Sequence, residues 1–223
     1  ISESPDIIYH LGEYSRVEKS LEEPALVWDL NKEGTFGVVE FWRKRGGKLV
    51  YAGSSTKFGD GGLGRDQSPY AWTKATNTEL VRNYGSWYGL AYAITYFYNV
   101  YGPGERADAY GTVIEIFRKR RSLGQPLVVT APGTQKRNFT HVDDTVRGLV
   151  LVGANGIGDD FGIGNERAYS ILEVAKMFGG KVSMKPAARG NRMTSDIDSS
   201  KMRSLGWSPE KNLADYIKEV TKL

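Results

Sequence analysis

Tyr70 and Lys74 stand four residues apart in Ser68-Pro69-Tyr70-Ala71-Trp72-Thr73-Lys74. On a helix that spacing puts both side chains on one face, about 6 Å apart. An ammonium at that range favours a phenolate over a phenol. A tyrosine so tuned serves as general base or acid toward a sugar hydroxyl near neutral pH. The lysine also carries donors suited to a cofactor ribose. Upstream, Ser54-Ser55-Thr56 follows the apolar run KLVYAGS at 48–54. Parallel sheets hold ligands at strand C-termini, and a hydroxyl placed there can share a proton with a tyrosine and its substrate. Each piece also has a plainer reading. A half-buried tyrosine beside a lysine stem lying on apolar surface shows the same spacing. Hydroxyls after a strand often do no more than shape a turn.

Strand-like and helix-like segments alternate along the chain and would position these residues. DIIYHLG (6–12), KLVYAGS (48–54), LAYAITYF (90–97), PLVVT (126–130) and DFGIG (160–164) read as strands. Apolar positions at helical spacing predict helix across 16–44, 110–121, 141–153 and 209–222. Ser68 as N-cap and Pro69 at the first position open a predicted helix over 69–88. Ser170 would cap another, reaching Phe178. Such alternation predicts parallel α/β, with crossover helices covering both faces of the sheet.

Composition removes several classes. The chain has 223 residues, 40% hydrophobic and 25% charged, with no cysteine. That suffices for a domain with a proper core, and it excludes collagen-like, disordered and disulfide-stapled chains. The longest apolar run, LVLVG at 149–153, is far below the roughly 20 residues that span a bilayer. No basic-then-apolar leader opens the sequence, so the expected location is the cytoplasm. The net charge of +4 comes from scattered residues, and the run Arg118–Arg121 suits a helix C-terminus better than a nucleic-acid patch. No membrane or nucleic-acid partner is expected. His10 and His141 lie in apolar stretches and read as structural, and metal-ligand spacing is absent. Gly59-Asp60-Gly61-Gly62-Leu63-Gly64 fits G-x-G-x-x-G. The phosphate-binding mechanism needs a strand leading straight into the glycines and a helix opening among them. Here polar residues follow the strand and the helix starts later, so a surface loop is expected. Gly102-Pro103-Gly104 reads as a turn.

Taken in order, these segments resemble the extended short-chain dehydrogenase/reductase superfamily, in its nucleotide-sugar epimerase/dehydratase branch. DIIYHLGEYSRVE is similar to D-x-V-x-H-L-A-A, and NKEGT to N-x-x-G-T. LVYAGSSTKFGD resembles S-S-x-x-V-Y-G-D, and SPYAWTKA is the Tyr-Lys helix. YFYNVYGPGE resembles R-Y-F-N-V-Y-G-P, RNFTHVDD resembles R-D-F-x-x-V-D-D, and FGIGNERAYSILEVA resembles the F-N-I-G strand-turn-helix. RGNRM and DIDSSKMRSLGW resemble R-x-G-[DE] and A-D-x-S-K-x-x-x-L-G-W.

The resemblance implies a Rossmann-like parallel sheet over 1–105, joined by 140–165, and a smaller nucleotide-sugar lobe from 106–139 and 166–223. It implies NAD as cofactor, bordered by Leu11, Gly12, Asn31, Ala52, Gly53, Tyr70, Lys74 and Tyr98. Ser54, Tyr70 and Lys74 become the catalytic residues. Ser15, Ser55, Thr56 and Asn99 face the nucleotide sugar, and Arg137 grips its diphosphate with Arg189 or Arg192, as guanidinium groups do well. A homodimer through the helices near 16–44 and 69–88 is implied as well. Dehydratases of the branch carry Asp-Glu after the catalytic hydroxyl, and decarboxylases a Glu at the second position. Ser55 and Thr56 stand there instead, which leaves a 4-epimerase of a UDP-hexose. In that reaction Tyr70 takes the 4-hydroxyl proton while hydride passes from C4 to NAD. A 4-keto-sugar reductase, or a nucleotide-sugar-binding but catalytically incomplete fragment, is the alternative. Departures are Tyr96 for Arg, Asn138 for Asp, and Asn191 in R-x-G-[DE]. The loop from Phe58 to Ser68 also looks shorter than usual. The family counts the strand at 6–12 as its fourth, and its N-terminal βαβ portion with the glycine-rich loop has no counterpart in these residues.

Overall fold

A computed structural model describes residues 4–187, 193–194 and 196–222. The first strand, β1 (Ile7–His10), is followed by a short α1 (Val17–Ser20), α2 (Pro24–Trp28), a wide π-helical turn (Asp29–Glu33) and α3 (Gly34–Arg45). Then come β2 (Lys48–Ser54), a run of 3-10 turns (Ser55–Asp66), α4 (Pro69–Tyr88), β3 (Tyr92–Phe97) and β4 (Val100–Tyr101). The chain continues through α5 (Val113–Ser122), β5 (Leu127–Thr130), β6 (Lys136–Asn138), β7 (Thr140–His141), α6 (Val142–Asn155) and β8 (Gly158–Ile163). It ends with β9 (Ala168–Ser170), α7 (Ile171–Phe178), β10 (Val182–Lys185), α8 (Ser200–Ser204) and α9 (Leu213–Thr221).

Four strands form the main sheet in the order β1-β2-β3-β8, all parallel. The architecture is the Rossmann-like α/β class, and its helices lie on both faces because alternate residues of each strand point to opposite sides. Leu49 and Tyr51 of β2 join Ile94 and Tyr96 of β3 beneath Val39 and Trp42 of α3 and Val81 and Tyr84 of α4. Val50 and Ala93 point the other way, onto Leu149 and Val152 of α6. Burial of β2 on both faces explains its nearly unbroken apolar run.

A second core holds Ile114 and Phe117 of α5, Leu127 and Val129 of β5, Val174 and Phe178 of α7, and Leu213 and Ile217 of α9. Beside it β5 pairs with β10 in parallel, and β6 with β9 antiparallel. Met202 and Trp207 belong to neither edge of this lobe. They pack with Val50, Phe161 and Ile163 on the main sheet, although they fall within the 166–223 stretch expected in the lobe.

Two local expectations change. The helical spacing across 16–44 is divided: Pro24 restarts the helix, and the π-turn adds a residue to the circuit, which turns Asn31 fully inward. The glycine-rich segment keeps the surface position expected of it, with Gly61, Gly62 and Leu63 exposed, but it is built of 3-10 turns and is not an irregular loop. Asp60, Gly61 and Gly62 take positive φ within the 3-10 run, and the Asp60 carboxylate accepts from the backbone N–H groups of Met193 and Thr194 at 3.0 and 3.2 Å. No helix among the described residues is long and apolar enough to cross a membrane.

Candidate active site

Helix α4 sets the position of Tyr70 and Lys74. The Ser68 hydroxyl accepts from the Ala71 N–H at 3.1 Å, and Pro69 needs no partner at the first position, so the first turn is held where both side chains leave it. Strand β2 runs toward this turn and ends on Ser54. The Tyr70 hydroxyl donates to Ser54 Oγ at 3.0 Å, and Ser54 Oγ lies 2.9 Å from Thr56 Oγ1. Gly53 precedes it because a Cβ there would stand 2.7 Å from the Tyr96 ring. Lys74 is 6% exposed and donates to the Ala52 carbonyl, which ties the helix to the end of the strand.

Lys74 also forms an ion pair with Glu13, a residue that no catalytic motif in the sequence marks. The Glu13 carboxylate is buried in a closed set of donors. Thr35 Oγ1 reaches it at 2.7 Å, Asn77 Nδ2 at 2.8 Å, and the Tyr51 hydroxyl at 3.1 and 3.0 Å from its two oxygens. Burial pushes the Glu13 carboxyl up, but the Lys74 charge and the bonds from Lys74 and Thr35 outweigh it and hold the group below its usual value. Burial in turn pushes the His10 imidazole down. His10 Nε2 meets Thr35 Oγ1 at 2.9 Å, and Thr35 has already given its one hydroxyl proton to Glu13, so His10 is the donor. The signal for Glu13 was its place in DIIYHLGE, where D-x-V-x-H-L-A-A has its second alanine.

A cleft of about 560 Å³ opens beside this cluster. Leu11, Ser15, Ala52, Gly53, Ser54, Ser55, Thr56, Tyr70, Lys74, Asn99 and Arg137 all line it, so most of the expected site residues are brought together. Arg16 and Glu105, which are not among the residues expected from the sequence, line it too. Three residues lie elsewhere. Asn31 is sealed in the interior, accepting from the Tyr14 N–H at 2.7 Å and donating to Thr73 Oγ1 at 3.0 Å. Tyr98 is buried and borders a different cavity, beside Phe58 and Tyr96. Gly12 is not among the residues lining the cleft. Arg189 and Arg192 fall outside the described residues.

The departures at 96 and 138 have local reasons. The Tyr96 hydroxyl donates to Asp159 at 2.6 Å and receives a bond from Lys57. Asn138 donates to the Asn165 and Glu166 carbonyls at 2.8 and 3.0 Å. An aspartate there would set a carboxylate against two carbonyls.

Fold and cleft together define an α/β enzyme with a Ser-Tyr-Lys set at the C-terminal edge of a parallel sheet. The family model of the NAD dependent epimerase/dehydratase family matches residues 1–164, and the chain belongs to that family. It is 29% identical over 233 residues to the UDP-glucuronate 4-epimerase of Thermodesulfobacterium geofontis, covering 96% of this chain and 70% of that one. The crystal structure of the Thermotoga maritima UDP-glucose 4-epimerase with UDP-glucose is similar in fold, with a TM-score of 0.90 at 24% identity, covering 98% of this chain and 76% of that one. The Thermus thermophilus UDP-glucose 4-epimerase in complex with NAD gives a TM-score of 0.89 at 24% identity, covering 98% and 77%.

Proposed function

We propose that this protein inverts C4 of a UDP-hexose with NAD as its cofactor. The observation that carries the reading is the Tyr70–Ser54 hydrogen bond of 3.0 Å beside Lys74, in a cleft that Arg137 also lines. The family and the named activities of its relatives support it.

The residues fit the nicotinamide-ribose end of NAD. Lys74 has three N–H donors and gives one each to Glu13 and the Ala52 carbonyl, leaving one for a ribose hydroxyl. Leu11 and Ala52 supply the apolar side. NAD, when bound, supplies a reversible hydride acceptor for C4. As the phenolate, with the Ser54 hydroxyl turned to donate to it, Tyr70 Oη takes the 4-hydroxyl proton, and it gives that proton back once the keto sugar has turned its other face. Arg137 keeps the diphosphate in place through that rotation, since a guanidinium binds phosphate oxygens in pairs. Ser55 and Thr56 line the cleft beside Ser54 and have no acid/base carboxylate to offer a water elimination.

The test is incubation with NAD and UDP-glucose, UDP-galactose, UDP-glucuronate or their N-acetyl forms, followed by NMR of the sugar. C4 inversion is expected, and Tyr70→Phe should lower kcat by about 10²–10⁴-fold while the nucleotide sugar still binds. Equal rates in wild type and Tyr70→Phe would overturn the catalytic assignment. Turnover of a 4-keto sugar with NADPH and no epimerisation would make the protein a reductase.

A further inference from the structure

Glu13 has no step in the reaction derived above, yet it is the best-held carboxylate in the cleft. We propose that Glu13 is a positioning residue for catalysis, acting through Lys74: it fixes where the lysine charge sits and partly cancels that charge beside Tyr70. This rests on the epimerase reading.

The geometry leaves Glu13 little else to do. Its side chain is 3% exposed and that of Lys74 is 7% exposed. Thr35, Tyr51, Asn77 and Lys74 occupy both carboxylate oxygens, so neither oxygen is available to a substrate as acid or base. Asn77 is locked in turn: its amide nitrogen donates to the Asn31 carbonyl at 2.6 Å, and its oxygen accepts from Lys32 at 2.8 Å. The carboxylate is thus fixed from β2, α3, α4 and the π-turn together. Lysine is a flexible point charge on a four-carbon stem, and a lysine that tunes a tyrosine must have its ammonium held. Here the Ala52 carbonyl and Glu13 hold it. The titratable and charged groups around Glu13 are His10, Lys32, Tyr51, Tyr70 and Lys74. Lys74 is the closest cation, so the pair presents far less positive field to the Tyr70 ring than an ammonium alone would.

The experiment is a cycle of wild type, Glu13→Gln, Lys74→Met and the double variant, with Glu13→Asp as the conservative exchange. Urea unfolding midpoints and the pH dependence of kcat and KM are read for each. With Glu13→Gln, kcat should fall on the order of 100-fold with KM for the nucleotide sugar little changed, as for an interaction that matters only in the transition state. The acid limb of the pH–rate profile should move to lower pH, because the Lys74 charge then acts uncancelled beside Tyr70. Glu13→Asp should restore that limb. In the Lys74→Met background Glu13→Gln should have little further effect on kcat, and the double variant should unfold at higher urea than the additive expectation.

In a working enzyme, an unchanged kcat, or an acid limb that stays in place or moves to higher pH, overturns the proposal. So do additive effects in the cycle. If Glu13→Gln fails to fold, recovery of folding in the double variant supports the coupling, and a double variant that also fails overturns it. A wild type that turns over no nucleotide sugar overturns the functional reading itself, and Glu13 then remains a folding contact with no catalytic part.

Discussion

Glu105 shows how a single side chain can carry a pH response into the cleft. Both of its carboxylate oxygens are shut away from solvent on the cleft wall. Burial and the nearby Glu115 push its carboxyl up to about 7, against an opposing pull from Arg16. The folded chain therefore holds this proton more tightly than the unfolded chain does. That contribution is complete below the unfolded value of 4.5 and is lost as the pH rises through about 7. Glu105→Gln should remove the dependence. Relative to wild type it should gain on the order of 1–2 kcal/mol at pH about 8, after allowance for solvent screening, and nothing at pH about 4. Urea midpoints at the two pH values measure it, and an equal difference at both would show that Glu105 is not the group responsible.

Helix α4 matters at the scale of elements because the site hangs from its first turn. Ser68 caps it, Pro69 opens it, and Gly89 ends it at a φ of 64°, a left-handed value that glycine adopts without strain. The whole boundary is local chemistry, and the sequence predicts its bounds as 69–88, where the helix indeed runs. Ser68→Ala should destabilise the fold by about 1 kcal/mol, the usual cost of losing a side-chain cap. The same change frees the turn that aims Tyr70, so kcat should fall more than KM rises. A stability loss with unchanged kcat would mean that the turn is held by packing alone. The π-turn before α3 is a contrasting case. Apolar spacing predicts helix there, but spacing does not reveal that one wider turn points Asn31 at Tyr14 and Thr73 instead of toward a ligand.

Over the whole molecule, the cleft lies between two hydrophobic cores. Tyr70 comes from the element packed on the main sheet, and Arg137 from β6 beside the second core. Asn99 joins the two parts: it adopts a φ of 37°, and its amide donates to the Asn138 carbonyl at 2.8 Å. The proposed chemistry at Tyr70 and the proposed diphosphate contact at Arg137 therefore belong to different bodies of the fold, and mutation should separate them. Arg137→Ala should weaken UDP binding by about 10–100-fold, the worth of a charge-assisted pair, with the unfolding midpoint nearly unchanged. Calorimetry with UDP reads it directly, and an unaltered Kd would remove Arg137 from the diphosphate site.

The sequence alone determined what depends on neighbours in the chain. The caps at Ser68 and Ser170, the one-face spacing of Tyr70 and Lys74, the hydroxyl at the end of β2 and the parallel alternation are all set within a few residues, where steric and hydrogen-bond rules act directly. Only tertiary structure decided that Glu13 pairs with Lys74, that Asn31 and Tyr98 face inward, and that Met202 and Trp207 pack on the main sheet. Those outcomes depend on which distant surfaces meet. A buried charge keeps its charge only when another element brings a partner, and no spacing along the chain records that meeting.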